Sequence, residues 1–188
     1  VLLFIAALVT WIGVEVADLH RIADPSAGDQ KAAALMTEDV NKINHLMTLI
    51  DRNQYYVVKN FAVETYFWDS IYDGILKLNR YYEDDLFPFH NGKIQEKYIQ
   101  LVNEAKDFHH DLYLLYTSDG KGRSTWRTRD DRWVPDDVYN RVMEKVAALN
   151  KQTTNIADFW EQLIEVARQE LKGAPKSITR YEMSPDNM

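Results

Sequence analysis

KIQEKYIQLVNEAKDFHHDLYLLY, residues 93 to 116, carries the pattern that decides the fold. Ile94, Tyr98, Leu101, Val102, Ala105, Phe108, Leu112 and Leu115 recur mostly three or four positions apart, the spacing that puts apolar groups on one face of an α-helix. The spacing predicts a helix over 93–116. On its N-terminal side, FPFHNG (87–92) reads as a turn, because Pro88 cannot continue a helix and Asn91-Gly92 tolerates positive φ.

The same period returns further along the chain. Pro135, Asp136 and Asp137 are start signals, with proline in the first turn and acids against the positive end of the helix dipole. Val138, Val142, Val146, Leu149, Thr153, Ile156, Trp160, Leu163, Ala167 and Leu171 then hold the stripe to Gly173, a natural stop ahead of Pro175. That predicts a helix of about 37 residues, roughly 55 Å long. Between these helices, TSDGKGRSTWRTRDDRW (117–133) has no sustained period and is long for a connection.

Toward the N-terminus, apolar positions 40, 43, 47, 50, 57, 61, 68, 72, 75, 82 and 86 continue the helical spacing, with a start near Lys31 after the breaker segment ADPSAGD (23–29). Asp51, Arg52, Asn53 and Gln54 interrupt it. The stretch is either one helix to about Leu86 or two helices hinged at this polar quartet, the second being more compact. No segment alternates as a strand would, and no internal repeat appears. The expected fold is all-α: an up-and-down bundle of three to four long helices with an N-terminal apolar helix.

That apolar helix is VLLFIAALVTWIGV, residues 1–14, which carry no charge. Fourteen residues cover roughly 21 Å of helix against a hydrocarbon core of roughly 30 Å, so about six more apolar residues ahead of Val1 would complete a span. Apolar residues occupy every side of the helical wheel, and Trp11 stands near the polar end where interfacial aromatics collect. A buried core helix and an uncleaved signal segment are the competing explanations, V-E-V-A being a mediocre cleavage site. Between Glu15 and Asp39 lie six acids and two bases, a poverty of Lys and Arg that suits the outside of the cytoplasm. The expected organisation is an apolar anchor over 1–22, a helical domain over 23–173 and a polar tail over 174–188.

Composition narrows the chemistry. A formal net charge of −7 and a pI near 5.2 set nucleic acid aside as a partner, since its binding begins with a basic surface. No cysteine is present, which removes disulfides, thiolate nucleophiles and sulfur-ligated zinc. There is no G-x-S-x-G, no H-E-x-x-H and no phosphate-cradling glycine loop. No cofactor is implied.

Three residue groups are candidates for a site. Arg123, Trp126, Arg127, Arg129, Arg132 and Trp133 fall in the 117–133 loop, where guanidinium forks and indole faces suit a carboxylate, a phosphate, a flat ligand or a partner; pairing with Asp130 and Asp131 is the structural alternative. Asp107, His110 and Asp111, with Glu104 a turn earlier, share a helix face at metal-binding spacing, although the paired Glu-x-x-His motifs of a helical di-iron site are missing.

The third group comes from residues 55–89, which hold 11 of the chain's 23 aromatics. Read as a helix, this stretch has two seams: Val57, Phe61, Trp68, Tyr72 and Ile75 on one, and Tyr56, Val63, Phe67, Gly74, Leu78 and Tyr81 on the other. Such a helix is either central or offers its second seam to another chain. The expectation is a non-catalytic, membrane-anchored interaction or accessory subunit outside the cytoplasm, held in the membrane through residues 1–14 and joined to a protein partner or a second copy. The alternatives are a bundle sensing a small anionic or aromatic molecule through the Arg/Trp loop or an aromatic interhelical pocket, and a metal-dependent helical enzyme.

Overall fold

The computed structural model describes residues 25–127 and 133–181. The anchor segment 1–22 and the loop residues Arg129 and Arg132 lie outside the described residues. Among the described residues, no helix is long and apolar enough to cross a membrane.

The architecture is dominated by α-helix, as the periodicity predicts. Among the described residues three helices are long, α1 (Pro25–Leu49), α4 (Gly92–Leu115) and α5 (Asp136–Glu170), and two are short, α2 (Arg52–Asn60) and α3 (Asp73–Asp84). α1 begins at Pro25, upstream of the expected Lys31, because proline in a first helical turn lacks only an N–H that would have no partner there. Asn91 does not adopt positive φ. It caps α4 instead, its side chain accepting from the backbone N–H of Lys93 at 3.0 Å and Ile94 at 3.2 Å.

α4 and α5 form the most extensive helix pair and run antiparallel, with Lys93 bonded to Glu170 and Asp111 to Gln152 near opposite ends of α4. The stripe read from the sequence is the core: Ile94, Tyr98, Leu101, Val102, Ala105, Phe108 and Leu112 are all buried. On α5 the stripe is buried from Val146 onward, whereas Val138 is exposed.

The stretch 40–86 is neither one helix nor two. It breaks first at Asp51, whose carboxylate caps α2 by accepting from Gln54 N at 2.8 Å. It breaks again after Asn60, where the chain turns extended, forms strand β1 (Tyr66–Trp68) and a 3₁₀ turn (Asp69–Tyr72), and only then enters α3. The two-seam helix therefore does not exist. Val63, Gly74 and Leu78 are buried within the chain, Phe67 and Tyr81 pack partly buried against its core, and Tyr56 is exposed.

β1 belongs to a small antiparallel sheet, where the sequence predicts no strand. β2 (Thr117–Ser118) and β3 (Arg123–Thr125) complete it, in the order β1-β3-β2, with Phe67 opposite Ser124 and Trp68 opposite Arg123. Strands of two and three residues are too short to leave a readable alternation. The segment 63–65 feeding β1 is fixed by side chains from three places. Asn150 of α5 both donates to and accepts from the backbone of Val63, the Tyr116 hydroxyl donates to Glu64 O, and Thr125 Oγ1 donates to Thr65 O.

The chain after Gly173, expected as a polar tail, returns along the bundle as far as it is described. Ala174, Ile178 and Tyr181 pack on the core. The Tyr181 hydroxyl accepts from Trp160 Nε1 at 3.0 Å and donates to Ile50 O at 2.5 Å, tying this segment to α5 and to the end of α1.

Candidate functional site

The sheet meets the helices where α3 begins and α4 ends, and there they enclose a pocket of about 430 Å³. That volume lies within the range of small-molecule sites, roughly 300–1,000 Å³. Its walls come from four parts of the chain: Phe67 of β1; Asp69 and Tyr72 of the 3₁₀ turn with Ile75 and Leu76 of α3; Phe108, His109, Leu112 and Tyr113 of α4; and Tyr116, Thr117, Ser118 and Ser124 around the hairpin.

Strand pleating explains Phe67. Tyr66 and Trp68 are exposed while Phe67 between them is partly covered, so its ring meets Tyr72 edge-on at 5.6 Å and Tyr116 at 4.9 Å. Tyr72 in turn meets Phe108 edge-on at 5.0 Å. Contacts of this kind add to area burial and hold the rings in defined positions. Burial pushes the Tyr72 phenol up to about 12 and raises Tyr116 as well, with the nearby Tyr72 and Glu64 as lesser causes. Both are uncharged at neutral pH.

The entrance into α3 depends on Gln54 and Gly74. Gln54 is buried, donates from Nε2 to Ile71 O at 3.0 Å and accepts from Gly74 N at 2.6 Å. A Cβ on Gly74 would stand 2.5 Å from Leu49 O and 2.5 Å from Gln54 Cγ. The close neighbour that Gly74 admits is the chain's own α1–α2 corner.

Polar groups are few. Asp69 Oδ1 accepts from Ser124 Oγ at 2.7 Å and Oδ2 from Ser118 Oγ at 3.3 Å, while Asp69 N donates to Gly122 O at 3.0 Å. These bonds tie the hairpin to the turn and stand the carboxylate at the pocket wall. Positive φ at Gly120 and Gly122 lets the hairpin close. His109 stacks edge-on with Tyr113 at 4.5 Å, and its Nε2 is buried with no hydrogen-bond partner. Burial lowers the His109 pKa, and His110 lowers it further against the opposing effect of Glu83.

The residues singled out from sequence are dispersed. Arg123 bonds to Asp119 through Nη2 at 3.1 Å and Nε at 3.2 Å, and its guanidinium lies over the exposed rings of Tyr66 and Trp68 at 5.5 and 5.9 Å. Trp126 packs on the core beside Tyr139, Arg127 lies over Trp126 at 5.5 Å, and Trp133 is exposed. Asp107, His110 and Asp111 sit on the exposed side of α4, where Asp111 accepts from Gln152. Among the described residues, no group of three His, Asp or Glu side chains could hold a metal ion.

Of the proposed interface residues, Phe67 alone lines the pocket. Asp69, Tyr72, His109, Tyr116, Ser118 and Ser124 were not singled out from sequence as one site, because segments about fifty residues apart supply them. The available signal was the widening of the α4 apolar face near its end, where His109 and Tyr113 flank Phe108 and Leu112. No known protein family, curated protein or solved structure matches this chain.

Proposed function

We propose that this protein is a small-molecule-binding helical bundle that takes an apolar or aromatic body into the pocket between α3, α4 and the sheet. The observation that carries the reading is the pocket itself: ring-lined walls held edge to edge and a few polar groups at defined positions, the general design of a ligand site. The reading corresponds to a ligand-sensing bundle, with aromatic rather than anionic recognition, since neither Lys nor Arg is among the residues lining the pocket. Titration of the full chain with naphthylethanol, followed by fluorescence, tests it. Saturable binding that is lost in Leu76→Trp, which fills the pocket, is the expected result; no saturable binding, or binding unchanged in that variant, refutes it.

The apolar run 1–14 supports a membrane tether, and the scarcity of basic residues after it supports placement of the bundle outside the cytoplasm. Extraction of the full chain from membranes by alkaline carbonate would refute the tether.

A second reading, an accessory subunit joined to a protein partner or a second copy, is favoured by one surface feature. Leu86 and Phe87 are 83% and 77% exposed on a loop that is pinned beneath them, Lys42 donating to both the Asp85 carboxylate and Phe87 O. Large apolar groups held outward on a fixed loop mark contact surfaces. Self-association or partner retention that survives Leu86→Ser with Phe87→Ser counts against it.

A further inference from the structure

The pocket combines aromatic walls with one acid. Asp69 is the one carboxylate among the described residues lining it, and no lysine or arginine is among them. Among the described residues no cation pairs with Asp69; its oxygens take one serine hydroxyl each. Each carboxylate oxygen can accept two hydrogen bonds, so acceptor capacity remains on both. Of the hairpin's basic groups, Arg123 is engaged with Asp119 on the side of Tyr66 and Trp68, and neither it nor Lys121 is among the residues lining the pocket.

Beyond His109 and Tyr113 the adjoining surface carries Arg80 and Lys106, of which Lys106 pairs with Glu83 at 3.5 Å. Across the α4 wall, His109 stays uncharged at neutral pH, its Nε2 unpartnered, and a neutral imidazole nitrogen is either an acceptor or a single donor. Glu64 lies close enough to act on Tyr116 and is acidic, whereas Glu83, which acts on His109, is offset by Lys106. A cation entering here meets ring faces and a carboxylate, with no lysine or arginine among the described residues lining the pocket. Aromatic walls with an anion are the surroundings in which organic ammonium groups are held.

We propose, resting on the ligand-binding reading above, that the natural ligand is an aromatic amine, its ring body among Phe67, Tyr72 and Phe108 and its ammonium donating to Asp69. Since Asp69 is exposed, its contribution to affinity is that of a solvent-screened pair with added cation–π attraction, a preference of roughly five-fold over a neutral isostere.

Three probes of one shape separate the possibilities: naphthylethylamine, naphthylethanol and naphthylacetate, titrated into the full chain by calorimetry. The amine is expected to bind roughly five-fold tighter than the alcohol, with the acid weakest. Asp69→Asn should erase the amine's advantage over the alcohol. Should that variant lose its fold by circular dichroism, the salt dependence of the wild-type chain decides, because high salt must shrink the amine's advantage and leave the alcohol unmoved. Amine and alcohol binding equally at low salt overturns the amine assignment and leaves the pocket standing. No binding of any probe overturns both.

Discussion

Adding one methyl group at Gly74 tests the close packing of the turn into α3. In Gly74→Ala the new Cβ would stand 2.5 Å from Leu49 O and 2.5 Å from Gln54 Cγ, well inside contact distance. Leu49 O is backbone at the end of α1 and moves only with that helix. Gln54 can swing aside, but doing so breaks its bonds to Ile71 O and Gly74 N, each worth about 0.5–1.5 kcal/mol net. Overpacking of this kind costs about 1–3 kcal/mol, against a helix-propensity gain of at most about 1 kcal/mol. The net is a loss of about 1–5 kcal/mol, which for a domain of this size lowers Tm by roughly 2–20 °C. Gly28→Ala is the internal control, because a Cβ there meets nothing within 4 Å and the same propensity gain, up to about 1 kcal/mol, acts alone. Urea denaturation followed at 222 nm compares the two. Equal stability of Gly74→Ala and wild type would refute the close approach, and with it the account of how Tyr72 and Ile75 are delivered to the pocket.

Other consequences follow at separate places. Asp39 is buried and accepts from the backbone N–H groups of His90 at 2.9 Å and Asn91 at 3.0 Å; Asp39→Ala orphans both donors and should cost about 2–4 kcal/mol by urea titration. Tyr181→Phe removes one bond from Trp160 and one to Ile50, an expected loss of about 1–3 kcal/mol, with faster proteolysis after Gly173 as the local readout. Burial holds the His109 pKa below its ordinary 6.5, so on acidification the unfolded chain takes up that proton first. The stability supplied by the neutral ring is complete above about 6.5 and is lost as pH falls through the lower folded value. His109→Gln should flatten that part of the stability–pH curve, and an unchanged curve would contradict the burial of the ring.

Where apolar spacing was sustained over many turns, the helices follow it. The α4 and α5 stripes and the stop at Gly173 (φ +100°) are local properties: side-chain period, a cap and a left-handed glycine act over a few residues whatever the rest of the chain does. The segment 55–89 misled because its aromatics happen to fall near helical intervals. Tertiary contacts decided otherwise: Asn150, Tyr116 and Thr125, all more than fifty residues away, claim the backbone of 63–65 and hold it extended.

The pocket belongs to that second kind of information. A one-dimensional pattern records which face of a helix is apolar, so the sequence by itself determined an all-helical core and its stripes. It does not record which end of α4 the hairpin covers, that Asp69 ties the hairpin to the turn, or that Gly74 faces Gln54. Those are set by packing between segments distant along the chain, whose free energy no local window contains.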